Sequence, residues 1–370
     1  MSDRSQIVNF GPGPSTLPDS VLHQAAKGLL NYNNTGIGLT ELSHRSKEFG
    51  ALTKHLEFLI RSQLNVPETH HILFTQGGGS GQFSAVVLNL LARHRLLHPN
   101  LRDDERVLDY VVTGSWSKKA VEEARRLGGA RVNIVVDGRH SSSDGKSFDN
   151  IPPHDKWSFS PRPALIYYCE NETVDGVQFS HDPASPHAFP HHLLNDSLVP
   201  LVADYSSSFM SRPIPRLADH ALIYAAAQKN IGPSGLTILI VRRDLLVDTD
   251  AAAKLGATPV PYTLAYKTLA DAGSLYNTPP MFSMYVSDLV LEHVNANGGL
   301  PQLESVNRRK AEILYATLEE VAKLGLVKIK VQPGSRSWMN ATFEVLGEGA
   351  EQRFLVGAES RGFKQLKGHR

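Results

Sequence analysis

Three short stretches carry residue types that could do chemistry. In "YAAAQKNIGPSG", residues 224–235, Lys229 follows a run of small apolar residues and precedes a turn-forming Gly-Pro-Ser-Gly, with no charged neighbour for several residues on either side. A free lysine has a pKa of about 10.4, so it acts as a nucleophile or base only where its surroundings hold it unprotonated. Asp204 closes the apolar run "LVPLVAD". Gly77-Gly78-Gly79-Ser80 follows "HILFT" and opens a helical pattern, so free backbone N–H groups and the helix dipole would face an anion there. The glycines let the backbone approach that anion closely.

Each feature also has a plain reading. A strand-end acid usually caps a turn, a strand-end lysine usually reaches to solvent, and a glycine turn is often only a tight connection. The turn matches neither G-x-x-x-x-G-K-[ST] nor G-x-G-x-x-G, which speaks against a nucleotide. Taken in chain order, the three features match a pyridoxal phosphate (PLP) site. Such a site needs a phosphate cradle, an acid to keep the pyridine nitrogen protonated, and a lysine to form an imine. Ala225 to Ala227 would leave room for the ring.

The elements that must position these residues are legible as alternating patterns. Val21, Leu22, Ala25, Ala26, Leu29 and Leu30 recur at helical spacing, as do Phe49, Leu52, Leu56, Leu59 and Ile60, and then Phe83, Val86, Val87, Leu90 and Leu91. "RVLDYVVT", "ARVNIVV", "ALIYYC", "LVPLVAD", "ALIYAAA" and "LTILIVRR" read as strands too apolar to face water, with "SKKAVEEARRLG" a helix ending at glycine. Apolar strands separated by helices predict a largely parallel sheet covered on both faces, with ligands at the carboxyl ends of its strands. Residues 137–163 and 180–197 are rich in Ser, His and Pro and read as surface excursions. His70-His71 and His191-His192 are also expected in surface loops, since adjacent rings do not face one metal. Beyond about residue 285, longer amphipathic helices and the strands "VKIKVQ" and "MNATFEVL" indicate a second, smaller α/β domain.

Composition excludes several classes. With 370 residues, 41% hydrophobic and 20% charged, the chain is ordinary for a globular protein of two domains. A net charge of +1 gives no electrostatic case for nucleic acid or an anionic membrane. The single cysteine, Cys169, rules out an internal disulfide and fits a reducing compartment. The start "MSDRSQIVNF" has no apolar signal core, and no run approaches the ~20 apolar residues of a membrane span, so the cytoplasm is expected.

Nine strings then occur in order along almost the whole chain: "NFGPGPSTLP", "ELSHRSKEF", "TQGGGSGQFSAVVLNL", "VTGSWSKKAVEEA", "CENETVDGVQF", "VADYSSSFMSRPI", "AAAQKNIGPSGLTILIVRRDLL", "LYNTPPMFSMYV" and "LKGHR". On these the chain resembles the phosphoserine aminotransferase family, within the class V aminotransferases of PLP fold type I. The resemblance implies an α/β fold with a mostly parallel seven-stranded sheet in a large PLP-binding domain, residues 16–284. Residues 1–15 and 285–370 would form the small domain. Lys229 would carry the cofactor as an imine, with Gln228 beside it, and Asp204 would pair with the pyridinium. Gly79 and Ser80 would hold the cofactor phosphate, Trp116 would stack on the ring, and Thr173 would hydrogen-bond near the ring hydroxyl. Asn277 and Thr278 would reach the cofactor phosphate of a second subunit, which implies a homodimer. His44 with Arg45, and His369 with Arg370, would bind the substrate phosphate; no metal is implied.

The reaction implied is ping-pong transfer of an amino group between glutamate and 3-phosphooxypyruvate, giving 2-oxoglutarate and phosphoserine, in serine biosynthesis. A phosphorylated hydroxythreonine is a candidate second substrate. The alternatives are another class V transaminase, acting on serine or alanine with glyoxylate, and a non-catalytic phosphate-binding protein. Relatives of this family continue past "KGHR" into a Gly-rich segment with a carboxylate-binding arginine, whereas this chain stops at Arg370. The expectation from that is a shortened small domain with exposed apolar surface and weakened activity.

Overall fold

A computed structural model describes residues 4–194 and 199–368. In chain order the elements begin with β1 (Val8–Asn9), α1 (Asp19–Leu30), α2 (Lys47–Leu64), β2 (His70–Thr75) and α3 (Gly78–Leu97). There follow β3 (Val107–Val112), α4 (Ser115–Leu127), β4 (Arg131–Asp137), β5 (Leu165–Cys169), β6 (Asn171–Glu172) and β7 (Val177–Gln178). Next come β8 (Leu201–Asp204), β9 (Leu222–Ala226), β10 (Thr237–Arg242), α5 (Thr249–Lys254), α6 (Tyr266–Asp271) and α7 (Met281–Ala296). The chain closes with α8 (Gly299–Lys323), β11 (Val327–Ile329), β12 (Phe343–Val345), α9 (Ala350–Ser360) and β13 (Phe363–Lys364).

Seven strands form one sheet in the order β2-β10-β9-β8-β5-β3-β4. All neighbours are parallel except at β10, which runs antiparallel to both β9 and β2. Alternation along the strands sends side chains into two separate cores. Ile166, Tyr168, Ala203, Ile223, Ala225, Ile238 and Ile240 face one core, shared with α1, α2 and α7. Leu165, Tyr167, Val202, Leu222, Tyr224, Leu239 and Val241 face the other, shared with α3 and α4. The strands are therefore buried on both faces, which explains their continuous apolar character.

Helix ends follow local chemistry. The Ser46 hydroxyl accepts the Phe49 N–H at 3.2 Å and starts α2, and Asn65 ends it in the left-handed conformation. At the far end of the chain, β11 pairs antiparallel with β12, and β1 pairs in parallel with β13. The opening residues are thus tied to residues 363–364. Helix α7 runs unbroken across the expected domain division at residue 284. No helix among the described residues is long and apolar enough to cross a membrane.

Two expectations are corrected. His70 and His71 belong to β2 and not to a loop: His70 is buried, with its ring Nε2 2.8 Å from the His220 carbonyl. That bond satisfies the ring inside the sheet, so the pair extends the strand. The polar stretches 137–163 and 180–194 are not purely superficial either. Ile151, Trp157 and Phe189 drop from them into the core, and Trp157 packs edge-on against Phe189 at 5.8 Å. Residues 195–197 of the second excursion lie outside the described residues.

Ile240 is fully buried between Ile72 and Ile223 on the neighbouring strands. Ile240→Ala should destabilise the protein by about 2–5 kcal/mol. The measurement is thermal or urea unfolding; an unchanged midpoint would contradict the packing described.

Candidate active site

The carboxyl ends of β3, β5, β8 and β9 lie side by side, and the chemistry-bearing residues follow them. Asp204 ends β8 in register with Cys169 of β5 and Tyr224 of β9. It has the same parity as Val202, so its side chain emerges on the α3 face. A Cβ built on Gly79 would lie 3.6 Å from Asp204 Oδ2. The glycine at that point allows the first turn of α3 to approach the carboxylate.

Asp204 is buried and has no ion pair among the described residues. Its Oδ1 accepts the Ser206 N–H at 2.8 Å. Burial pushes its carboxyl above the usual range, while bonds from Ser206 and Tyr224 and the charge of Lys229 pull it back. The Tyr224 hydroxyl is held in turn by Tyr167 at 2.9 Å.

Lys229 follows β9 and is half-buried. No hydrogen bond or ion pair engages its Nζ among the described residues, although its charge and that of Asp204 act on each other. Burial lowers the amine below an ordinary lysine, and the Asp204 carboxylate restores part of the shift. The sequence pattern gave no reason to expect what covers it. The Ser15 N–H bonds to the Gln228 carbonyl at 3.1 Å, the Ser15 hydroxyl donates to the Lys229 carbonyl, and Gly13 lies directly on the Lys229 side chain.

At the start of α3, Gly77 takes a left-handed conformation with φ 96°. The Gly78 N–H bonds to Thr237 Oγ1 at 2.8 Å, and the Gly81 N–H returns to the Gly77 carbonyl. The N–H groups of Gly79 and Ser80 between them have no acceptor among the described residues. They are the two free donors of this helix N-terminus.

Trp116 stands in the first turn of α4, half-buried, with Lys119 Nζ 4.5 Å from its ring centre. The Thr173 hydroxyl makes no hydrogen bond among the described residues, and neither does the Gln228 side chain. Glu172 and Asp175, which sequence reasoning passed over, hold this region together. Glu172 is fully buried and accepts the N–H groups of Trp116 at 2.8 Å and Ser117 at 2.9 Å. Burial pushes its carboxyl up to about 8, against the pull of those bonds.

A second polar group lies on the surface. His44 Nδ1 is 3.3 Å from the Thr278 hydroxyl, and the Thr278 carbonyl accepts the Gln76 side chain at 3.0 Å, beside the Gly77 turn. His44 Nε2 is buried without a partner, and the exposed Arg45 guanidinium has none among the described residues. Asn277 is exposed, and among the described residues its side chain hydrogen-bonds only to the Thr278 carbonyl. His369 and Arg370 lie outside the described residues.

Residues 7–358 match the class V aminotransferase family. The phosphoserine aminotransferase of Pseudomonas paraeruginosa is 40% identical over 370 residues, covering 100% of this chain and 91% of its own. This chain is a member of the phosphoserine aminotransferase family of class V. Its fold agrees: the phosphoserine aminotransferase of Bacillus circulans subsp. alkalophilus superposes with a TM-score of 0.84 at 34% identity, over 98% of this chain and 89% of that one. The PLP-bound enzyme of Trichomonas vaginalis gives 0.82 at 32% identity, over 98% and 92%.

The residues present fit PLP on the structure's own terms. Two unpaired N–H groups suit a phosphate, a buried carboxylate suits a ring nitrogen that carries a proton, and a partnerless amine suits an aldehyde. The amine should react with aldehydes with a titration midpoint below 10.5, and Asp204→Asn should move that midpoint lower still, because the carboxylate favours the ammonium form. The pH dependence of aldehyde capture on Lys229 measures both; an upward shift in the variant would contradict the coupling.

Proposed function

We propose that the chain is a cytosolic, homodimeric phosphoserine:2-oxoglutarate aminotransferase that exchanges an amino group between glutamate and 3-phosphooxypyruvate. One observation carries this reading: the half-buried Lys229 amine has no partner among the described residues, yet sits within electrostatic reach of the buried Asp204 carboxylate. PLP, when bound, supplies an aldehyde for the amine to condense with and a ring that withdraws electrons from the carbon next to nitrogen.

The protein's own residues supply the rest. Gly79 and Ser80 donate their free N–H groups to the cofactor phosphate, assisted by Gln228. Asp204 would hold the proton on the ring nitrogen, and Trp116 and Thr173 would hold the ring and its hydroxyl. With PLP bound, Lys229 would be the base for the substrate α-proton, because burial holds its amine below an ordinary lysine. The same site serves donor and acceptor in turn, so the kinetics are ping-pong.

The phosphate of the substrate needs its own cation. The unpaired Arg45 and the orphaned His44 Nε2 suit it, with His369 and Arg370 assigned to the same task. Asn277 and Thr278, exposed beside His44, are read as reaching a second subunit's cofactor phosphate. Residues 16–284 are read as the cofactor domain and 1–15 with 285–370 as the smaller one, a division supported by the β1–β13 pairing.

Borohydride reduction of the PLP-loaded chain, followed by peptide mass analysis, should fix the cofactor on Lys229. A colourless, unlabelled protein would overturn the reading. Arg45→Ala should lower kcat/KM for phosphoserine by about 10- to 100-fold, the loss of one hydrogen-bonded charge, while sparing unphosphorylated amines.

A further inference from the structure

Two helices begin at this edge of the sheet, and their N-termini differ. α3 offers free N–H groups, whereas α4 offers none. Asp175 Oδ2 accepts the Ser115 N–H at 2.7 Å and its Oδ1 the Ser115 hydroxyl at 3.2 Å. Glu172 Oε2 and Oε1 accept the next two N–H groups, those of Trp116 and Ser117. Both acids come from the β6–β7 hairpin, and the residue after Glu172 is Thr173.

We propose that Glu172, assisted by Asp175, is a positioning residue that fixes Trp116 and Thr173 as one rigid unit against the cofactor. This rests on the PLP reading above. The side chain of Glu172 is bonded to the backbone of the residue that stacks on the ring, and its own backbone continues into the residue that meets the ring hydroxyl. Neither of those residues has another tie of this kind among the described residues: the Thr173 hydroxyl makes no hydrogen bond there, and Trp116 is only half-buried. Gly114 is fitted to the same purpose, because a Cβ there would lie 2.3 Å from Glu172 Cγ. Asp175 and Glu172 thus satisfy the first three N–H groups of α4 from within the chain, which leaves α3 as the helix N-terminus open to an anion.

The test uses the full chain with Glu172→Ala and Glu172→Gln. PLP affinity is read by absorbance titration of the apoprotein, and ring orientation by the visible circular dichroism of the bound cofactor. Glu172→Ala should weaken PLP binding by about tenfold or more and reduce the dichroism, because the two hydrogen bonds that hold the Trp116 and Ser117 N–H groups are lost. Added acetate should recover much of both, by occupying the bared N–H groups, and should leave the parent unchanged. Glu172→Gln keeps one acceptor and fills the space, so it should show a smaller loss that acetate does not repair.

Affinity and dichroism within twofold of the parent in both variants would overturn the proposal. So would a loss in Glu172→Ala that acetate leaves untouched, since that marks damage to packing alone. If Glu172→Ala does not fold, Glu172→Gln decides by the same two readings. A parent chain that fails to bind PLP would instead overturn the proposed function, and this proposal with it.

Discussion

A carboxylate and an amine of opposite charge are kept apart at neighbouring strand ends, and the rest of the structure depends on that separation. Removing an ion from water costs several kcal/mol even after relaxation, and a contact ion pair is the ordinary way to recover some of it. Asp204 and Lys229 do not take that route. The Ser206 N–H anchors Asp204 where β8 ends, and residues 13–15 hold Lys229 beyond β9. Burial then shifts both groups toward their neutral forms, the acid upward and the amine downward. A ligand that answers both groups would offset that desolvation cost better than water in the same space.

The sheet makes this possible by topology. Parallel neighbours β3, β5, β8 and β9 deliver four chain ends to one edge, and two-sided burial of the strands fixes those ends to within the play of a packed core. The single reversal at β10 matters as well. It returns the chain along β9, so that Thr237 at its start can accept the Gly78 N–H and shape the turn that leaves Gly79 and Ser80 free. The pair of free N–H groups thus depends on strands as well as on α3, although only the glycines advertise it.

Much of this was legible because it obeys local rules. The strands were visible as apolar runs, the helices by their period, and Lys229 by its isolation among small residues. What escaped was decided by long-range contacts. Glu172 and Asp175, in "ENETVDG", look like turn residues; only the arrival of α4 turns them into caps. His70 was expected in a surface loop as one of an adjacent pair that cannot face one metal, yet the His220 carbonyl satisfies it inside the sheet. Trp157 and Phe189 lie in Pro- and Ser-rich stretches whose composition conceals that each contributes an anchor to the core. The pairing of β1 with β13 joins residues more than 350 positions apart, and no periodicity could have shown it.

That pairing gives a physical reason for the spacing in "GPGPS". A Cβ on Gly11 would meet Gln365 Oε1 at 2.6 Å, and one on Gly13 would meet Lys229 Cδ at 2.3 Å. Two glycines one residue apart therefore touch the two ends of the site, the segment after β13 and the lysine. The prolines between and after them limit the backbone freedom that the glycines would otherwise bring. β1 is held at Val8 and Asn9 by Phe363 and Lys364, and the Asn9 side chain accepts the Gly11 N–H at 2.9 Å, so little slack remains between sheet and strap. Residues 9–13 thus connect the segment around Gln365 to the Lys229 side chain.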